Sequence, residues 1–291
     1  MAVTVGDPLA AVRTRVGESI RLLVAGSRNP PTRAPSTEGG LFGPDSVAWR
    51  VHSDPAMFVG GLRALLLQTL HPLAMAGVAD HSDYRSDPWG RLRRTSQFIG
   101  ITTFGSEDEA TAIIERVRRI HEQVVGTAPD GRHYQATDPH LLAWVHATEV
   151  DSFLAAYQRY GRGNHLDPAA ADRYVAEMAV VAGLLGAEEV PTSTAELARF
   201  VHRIRPELVV GRQAREAVGF LLAPPVAVAA RPAYAVISAA AIGLLPPWAR
   251  RKLWLPVAPM SDPLLVRPAA RALLASLDWA LASGRDPSLS R

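Results

Sequence analysis

Residues Ser106-Glu107-Asp108-Glu109-Ala110-Thr111-Ala112-Ile113-Ile114-Glu115-Arg116-Val117-Arg118-Arg119-Ile120-His121-Glu122-Gln123-Val124-Val125 set the reading of the chain. Ser106 with Glu109 three positions on is a capping box, in which each side chain serves an unbonded amide of a first helical turn. Ala110, Ile113, Ile114, Val117, Ile120, Val124 and Val125 then recur with a period near 3.6, one helical stripe turned to a core. The spacing predicts a helix over 107–125.

The same signals repeat outward from it. Asp54-Pro55, Asp87-Pro88, Asp138-Pro139, Asp167-Pro168 and Asp262-Pro263 each put a capping carboxylate before a proline suited to the first turn. Ser193 with Glu196 is a second capping box, and Gly126 and Gly186 suit helix ends. These marks predict helices near 55–78, 88–103, 107–125, 139–160, 168–185, 194–204, 207–222, 233–245 and 263–282. A further helix near 7–25 leads into a loop rich in Gly, Pro, Ser and Thr over 26–45. The organisation read from this is an N-terminal helix and linker, 1–45, and a helical domain, 46–291. Strand signals are nearly absent, with no long period-two run and no Asn-Gly or Asp-Gly turn between alternating segments. The fold class is all-α, a single large helical domain.

Composition narrows the chemistry. Hydrophobic residues make up 48% and charged residues 20% of the 291, enough for a large core. The net charge is only +3, and Lys252 is the one lysine beside 30 arginines. Those arginines are interleaved with acids and not massed in one block, which points away from a nucleic-acid partner. There is no cysteine, which removes disulfides, thiolate nucleophiles, iron–sulfur clusters and thiolate-ligated haem. Any metal falls to the nine histidines or to carboxylates. The first residues lack a basic start followed by an apolar run, so a cytoplasmic protein is expected. The apolar stretch 218–248 is interrupted by Pro224, Pro225, Pro232, Pro246 and Pro247, and Ala233–Leu245 is too short to span a bilayer. It reads as a core helix or as a lipid-contacting element.

Within this frame a few positions stand out. His121 lies in the apolar stripe between Val117 and Val124, where an imidazole must be hydrogen-bonded or bound to a metal. Arg91 and Thr95, four apart, share a helix face with Phe98 and Thr102. Such a pair suits a carboxylate or a substrate oxygen, or else belongs to a solvated basic turn paired with Asp87 or Asp83. His71 precedes Pro72, which breaks the helix inside apolar surroundings. His146 follows Leu142 by four on the stripe of helix 139–160, with Glu149 at i+3. His-Glu-x-x-His, Gly-rich phosphate loops and Gly-x-Ser-x-Gly are all missing, which leaves zincin, nucleotide and serine-hydrolase readings without their main parts.

Several separated motifs resemble those of one family. Gln68-Thr69-Leu70-His71-Pro72, the stretch from Gly77 to Ser82, Asp87-Pro88 with Arg91 and Arg94-Thr95, Phe104-Gly105, Val117-Arg118-x-x-His121 and Trp144-Val145-His146-Ala147-Thr148 are similar, in this order, to the MpaB and latex-clearing protein superfamily of oxygenases. The resemblance runs from about Phe42 to about Pro191. It implies a globin-like core of about eight or nine helices around haem b, with His121 as proximal iron ligand and Arg91 and Thr95 matching the family's Arg-x-x-x-Thr. Arg91 and Arg94, with His71 and His146, are the residues it places near the cofactor. It implies O₂ as partner and a small intracellular substrate, apolar or isoprenoid-like. The glutamate suggested as base in rubber-cleaving members has no counterpart around Met75, which points away from rubber cleavage. A haem-binding sensor or carrier and a metal-free lipid binder are the other readings open to these residues.

Overall fold

The structure is a computed structural model that describes residues 40–163, 165–255 and 262–281, besides Thr14 and Glu18. The helix expected near 7–25 and most of the 26–45 linker lie outside the described residues.

Twelve α-helices are found among the described residues: α1 (Val47–His52), α2 (Met57–Gln68), α3 (Pro72–His81), α4 (Pro88–Phe104), α5 (Glu107–Glu122), α6 (Pro139–Tyr160), α7 (Pro168–Leu185), α8 (Thr194–Arg203), α9 (Arg212–Leu222), α10 (Arg231–Leu244), α11 (Pro247–Lys252) and α12 (Arg267–Leu281). The nine expected in this part of the chain are all present. The count rises because the 55–78 segment divides in two and because two six-residue helices, α1 and α11, are too short for a periodic pattern to reveal.

Local chemistry explains most boundaries. Asp87, Asp138 and Asp167 accept from backbone amides at the starts of α4, α6 and α7, each just before its proline. At the start of α5 the Ser106 hydroxyl accepts from Glu109 N at 3.3 Å and the Glu109 carboxylate accepts from Ser106 N at 2.9 Å. Gly186 ends α7 in the left-handed region at φ +100°, where a side chain would be strained. Pro72 ends α2 and opens α3, and the two axes bend by 105°. No helix among the described residues is long and apolar enough to cross a membrane; this bent pair passes only by combining both arms, of which α2 is mostly buried while α3 buries only Met75 and Ala76.

The centre of the fold is the contact of α2 with α6. Val59, Leu66 and Leu67 meet Ala143, Trp144, Ala147, Val150 and Phe153, all 3% exposed or less. At Gly60 the backbones come so close that a Cβ would lie 2.8 Å from Phe153 Cδ1 and 3.1 Å from the Ser152 carbonyl. Arg63 is buried here, pairing with Asp151 at 2.7 Å and donating to Ser152 Oγ at 2.7 Å and to the Leu244 carbonyl at 3.0 Å. The α10 helix packs on α2 and α12 packs on α6 and α10. Segment 218–248 becomes the end of α9, a 3₁₀ turn, α10 and the start of α11: Ser238, Ala240, Ala241 and Leu245 enter the core, whereas residues 227–232 are exposed.

Elsewhere α4 packs on α5, α5 touches α7, and α1 lies against α4, α6 and α7. Glu177 of α7 caps α1, accepting from Val47 N and Ala48 N at 3.3 and 2.7 Å.

The helix expected over 107–125 ends earlier, at Glu122, and Gly126 is not its cap. Residues Val125–Thr127 pair antiparallel with His133–Gln135, through a turn in which Gly131 has φ +86°. The Asp130-Gly131 pair is a turn signal, and its flanks, three residues each, are too short to show alternation. This hairpin packs against α3, where Tyr134 donates to Asp80 at 2.7 Å. It lines a surface hollow of about 500 Å³ that includes none of Arg91, Thr95, His121 or His146.

Candidate functional site

Arg91 opens the exposed half of α4. Its Nη1 donates to Ser82 Oγ at 3.0 Å, and no carboxylate pairs with it among the described residues. Desolvation lowers its pKa, the neighbouring Arg94 adding slightly. A guanidinium carries five N–H donors, and withdrawing it from water without an acid is unfavourable. Arg94 differs. It is exposed and lies 3.5 Å from Asp87, whose other oxygen caps the helix. Thr95 is exposed as well, although spacing puts it near the face of Arg91. In α4 only Gly90, Thr102 and Thr103 are buried, so the turn carrying Thr95 lies outside the core.

His121 sits in the last turn of α5, partly buried, with no hydrogen-bond partner for its ring among the described residues. Burial alone lowers its pKa, which favours the neutral imidazole. The stripe around it is only half covered: Ala110 and Ile114 are buried, Val117 and Val124 partly so, and Ile120 is 50% exposed.

On α6, His146 is pushed down to about 4 and Glu149 up to about 7, in both cases by desolvation. His146 Nε2 is buried without a partner. Yet each residue keeps an intermediate accessible surface. Arg91 and His121 are likewise of intermediate exposure, with pKa values lowered first by desolvation. No hydrogen bond or ion pair among the described residues joins Arg91, Thr95, His121 and His146 to one another.

Two polar groupings were not singled out from the sequence. His52, buried on α1, bonds Thr103 Oγ1 through Nδ1 at 2.7 Å and the Tyr174 hydroxyl through Nε2 at 3.0 Å. Burial takes its pKa down to about 3, so it stays neutral. Tyr174 lies within the field of Glu149 and is pushed well up, by burial first. The second grouping involves His71, the N-cap residue of α3, which is 1% exposed and has no hydrogen-bond partner at either nitrogen. It faces Glu207 at 3.6 Å, and Glu207 in turn bonds His140 at 2.9 Å. Of these residues only His71 stood out in the sequence, before Pro72; its partners and those of His52 lie dozens of residues away and carry no local mark. Glu149 did carry one, as the lone acid on the apolar stripe of its helix.

Comparison with known proteins fits this architecture. Two mycobacterial proteins described only as uncharacterised, from Mycobacterium bovis and Mycobacterium tuberculosis, are each 30% identical over 79 residues, which is 27% of this chain and 31% of theirs. The chain thus spans about a third of the length of the curated relatives it matches. No solved structure matches it. The description "ER-bound oxygenase mpaB/B'/Rubber oxygenase, catalytic domain" fits residues 49–275, from α1 through most of α12. With three quarters of its length covered, and with the all-α core to match, the chain belongs to the MpaB and rubber oxygenase catalytic-domain family.

Proposed function

We propose that this protein is a haem b-dependent oxygenase that uses O₂ on a small, apolar or isoprenoid-like molecule, with His121 as the iron ligand. The family supports oxygenase chemistry. The observation that carries the haem reading is the pair of desolvated donors on adjacent helices: Arg91, a guanidinium with no acid, and His121, a neutral imidazole with no partner. One suits a propionate carboxylate and the other a metal, so the residues present fit the group. When bound, haem would supply the redox chemistry, and the protein would supply orientation and electrostatics.

The remaining roles follow from environment. Arg91 would anchor a carboxylate at the N-terminal end of α4, with Ser82 fixing the guanidinium. Phe98, Ile99 and Val145, partly buried and packed on the core, would hold an apolar substrate away from water. Glu149 is the group tuned to take or release a proton near neutral pH, the property a general base needs. His146 is uncharged there and would act as a polar contact and not as a cation.

An absorption spectrum of the purified, haem-supplemented protein is the test. A Soret band is expected in the wild type. His121→Ala should abolish it or shift it to that of a weakly held haem, and added imidazole should restore it. His146→Ala and His71→Ala should leave the axial bond in place. A wild-type spectrum in His121→Ala, with loss in one of the others, would overturn the ligand assignment. Fractionation of cells would test the expected cytoplasmic location.

A further inference from the structure

We propose a second metal site, separate from His121, in which His71, His140 and Glu207 bind a divalent first-row transition ion of the zinc class. His71 Nε2 lies 3.6 Å from Glu207 Oε2 and His140 Nε2 lies 2.9 Å from the same oxygen; all three ligand atoms fall within 4.8 Å of one another. Ligand bonds of about 2.0–2.1 Å at angles between 90° and 109° place donors roughly 2.9–3.4 Å apart. The cluster is therefore near the size an ion would draw together.

His71 makes this more than a surface ion pair. It is 1% exposed, both ring nitrogens lack partners, and Nε2 is directed at Glu207 beyond hydrogen-bond reach. A buried imidazole left so is unfavourable, whereas one coordinated through Nε2 is satisfied. Trp144 lies beside the ring, 6.3 Å between centroids, on the side of the core. His140 and Glu207 are both more than 40% exposed, which leaves an entry path and open positions for water. Two imidazoles and one carboxylate suit zinc, cobalt or iron(II) more than calcium or magnesium.

Placement suggests what the ion does. His71 stands at the 105° bend between α2 and α3, His140 at the first turn of α6, and Glu207 in the 3₁₀ turn Arg205–Glu207. The last of these segments already reaches the bend through Val209 N to the Leu70 carbonyl at 2.9 Å. A bound ion would fasten three segments that are remote in sequence.

The test uses Zn²⁺ on the full chain after chelator treatment, read by calorimetry and by thermal unfolding. One-to-one binding is expected, with a rise in Tm of several degrees at about 100-fold excess over Kd. His140→Ala and Glu207→Gln, both at surface positions, should each weaken binding by about 100-fold or more, since even outer-shell changes cost 10–100-fold. His121→Ala should bind Zn²⁺ like the wild type, which separates this site from the haem reading. Absence of one-to-one binding, or binding unchanged by both surface substitutions, overturns the proposal.

Discussion

The α2–α6 contact and the α4–α5 pair are built on opposite terms. The first is closed: two backbones meet at Gly60 and Phe153, a buried arginine is paired with an acid, and large apolar side chains are almost wholly covered. The second is open. In α4 only Gly90, Thr102 and Thr103 are buried, and in α5 only Ala110 and Ile114. The arginine of the closed region has a partner, and Arg91 of the open region has no acid. Packing is thus concentrated at the α2–α6 contact, while the helices bearing Arg91 and His121 keep polar donors that nothing among the described residues pairs with an acid.

Substitutions can break that contrast from either side. The largest effect on stability is expected from Asp151→Ala, which strands the buried Arg63 guanidinium. Removing one partner of a buried pair costs about 3–5 kcal/mol, and denaturant unfolding should register a loss near the lower end, since Asp151 itself is a third exposed.

Next comes the pH dependence of Glu149. Its folded pKa, about 7, lies above the ordinary 4.5. Between these values the folded state binds a proton that the unfolded chain has released, so this residue makes stability fall as pH rises from about 4.5 to 7, by about 3 kcal/mol in all. Glu149→Gln removes that slope. The variant should gain on the wild type between pH 5 and pH 8, and parallel curves would show that the carboxyl is not desolvated.

Gly60→Ala should be milder. Helix propensity favours alanine by about 1 kcal/mol, but the new Cβ would press on Phe153 and the Ser152 carbonyl. Overpacking of this kind costs about 1–3 kcal/mol, so a modest net loss is expected in thermal unfolding.

The smallest effect on the fold is expected at Arg91. Arg91→Ala removes a desolvated cation that has no acid, so the haem-free protein should change by less than about 1 kcal/mol while haem titration weakens clearly. Arg94→Ala, an exposed residue paired with Asp87, should alter neither by more than about 0.5 kcal/mol. Equal haem affinity in the two variants would mean that the open region has no anion subsite at Arg91.

Most of the fold was legible because helix ends are written locally. Asp87, Asp138, Asp167, Ser106 and Gly186 each announce a boundary within three or four residues, and the structure places caps at all five. The hairpin was not, since its strands are three residues long and the valines before Gly126 continue a helical period. Of the site, Arg91, His121, His146 and Glu149 could be picked out as polar residues on apolar stripes. What spacing could not convey was the depth of each face, and so Thr95 is exposed although it shares the spacing of Arg91, Phe98 and Thr102. His140 and Glu207 carry no mark at all, because their relation to His71 exists only after the chain has folded.

The Thr103–His52–Tyr174 chain has one more property. A neutral imidazole has a single N–H and a single lone-pair nitrogen, so the two hydroxyls flanking His52 cannot play the same part. If Thr103 donates, Tyr174 accepts, and moving the ring proton from one nitrogen to the other reverses both. Three helices, α1, α4 and α7, therefore share one sense of polarity with two settings, and neither setting changes the net charge. Tyr174 feels the field of Glu149, so the ionisation of that carboxyl would weigh one orientation against the other, and a change at one carboxyl would be read at Thr103 on another helix as a reversed dipole.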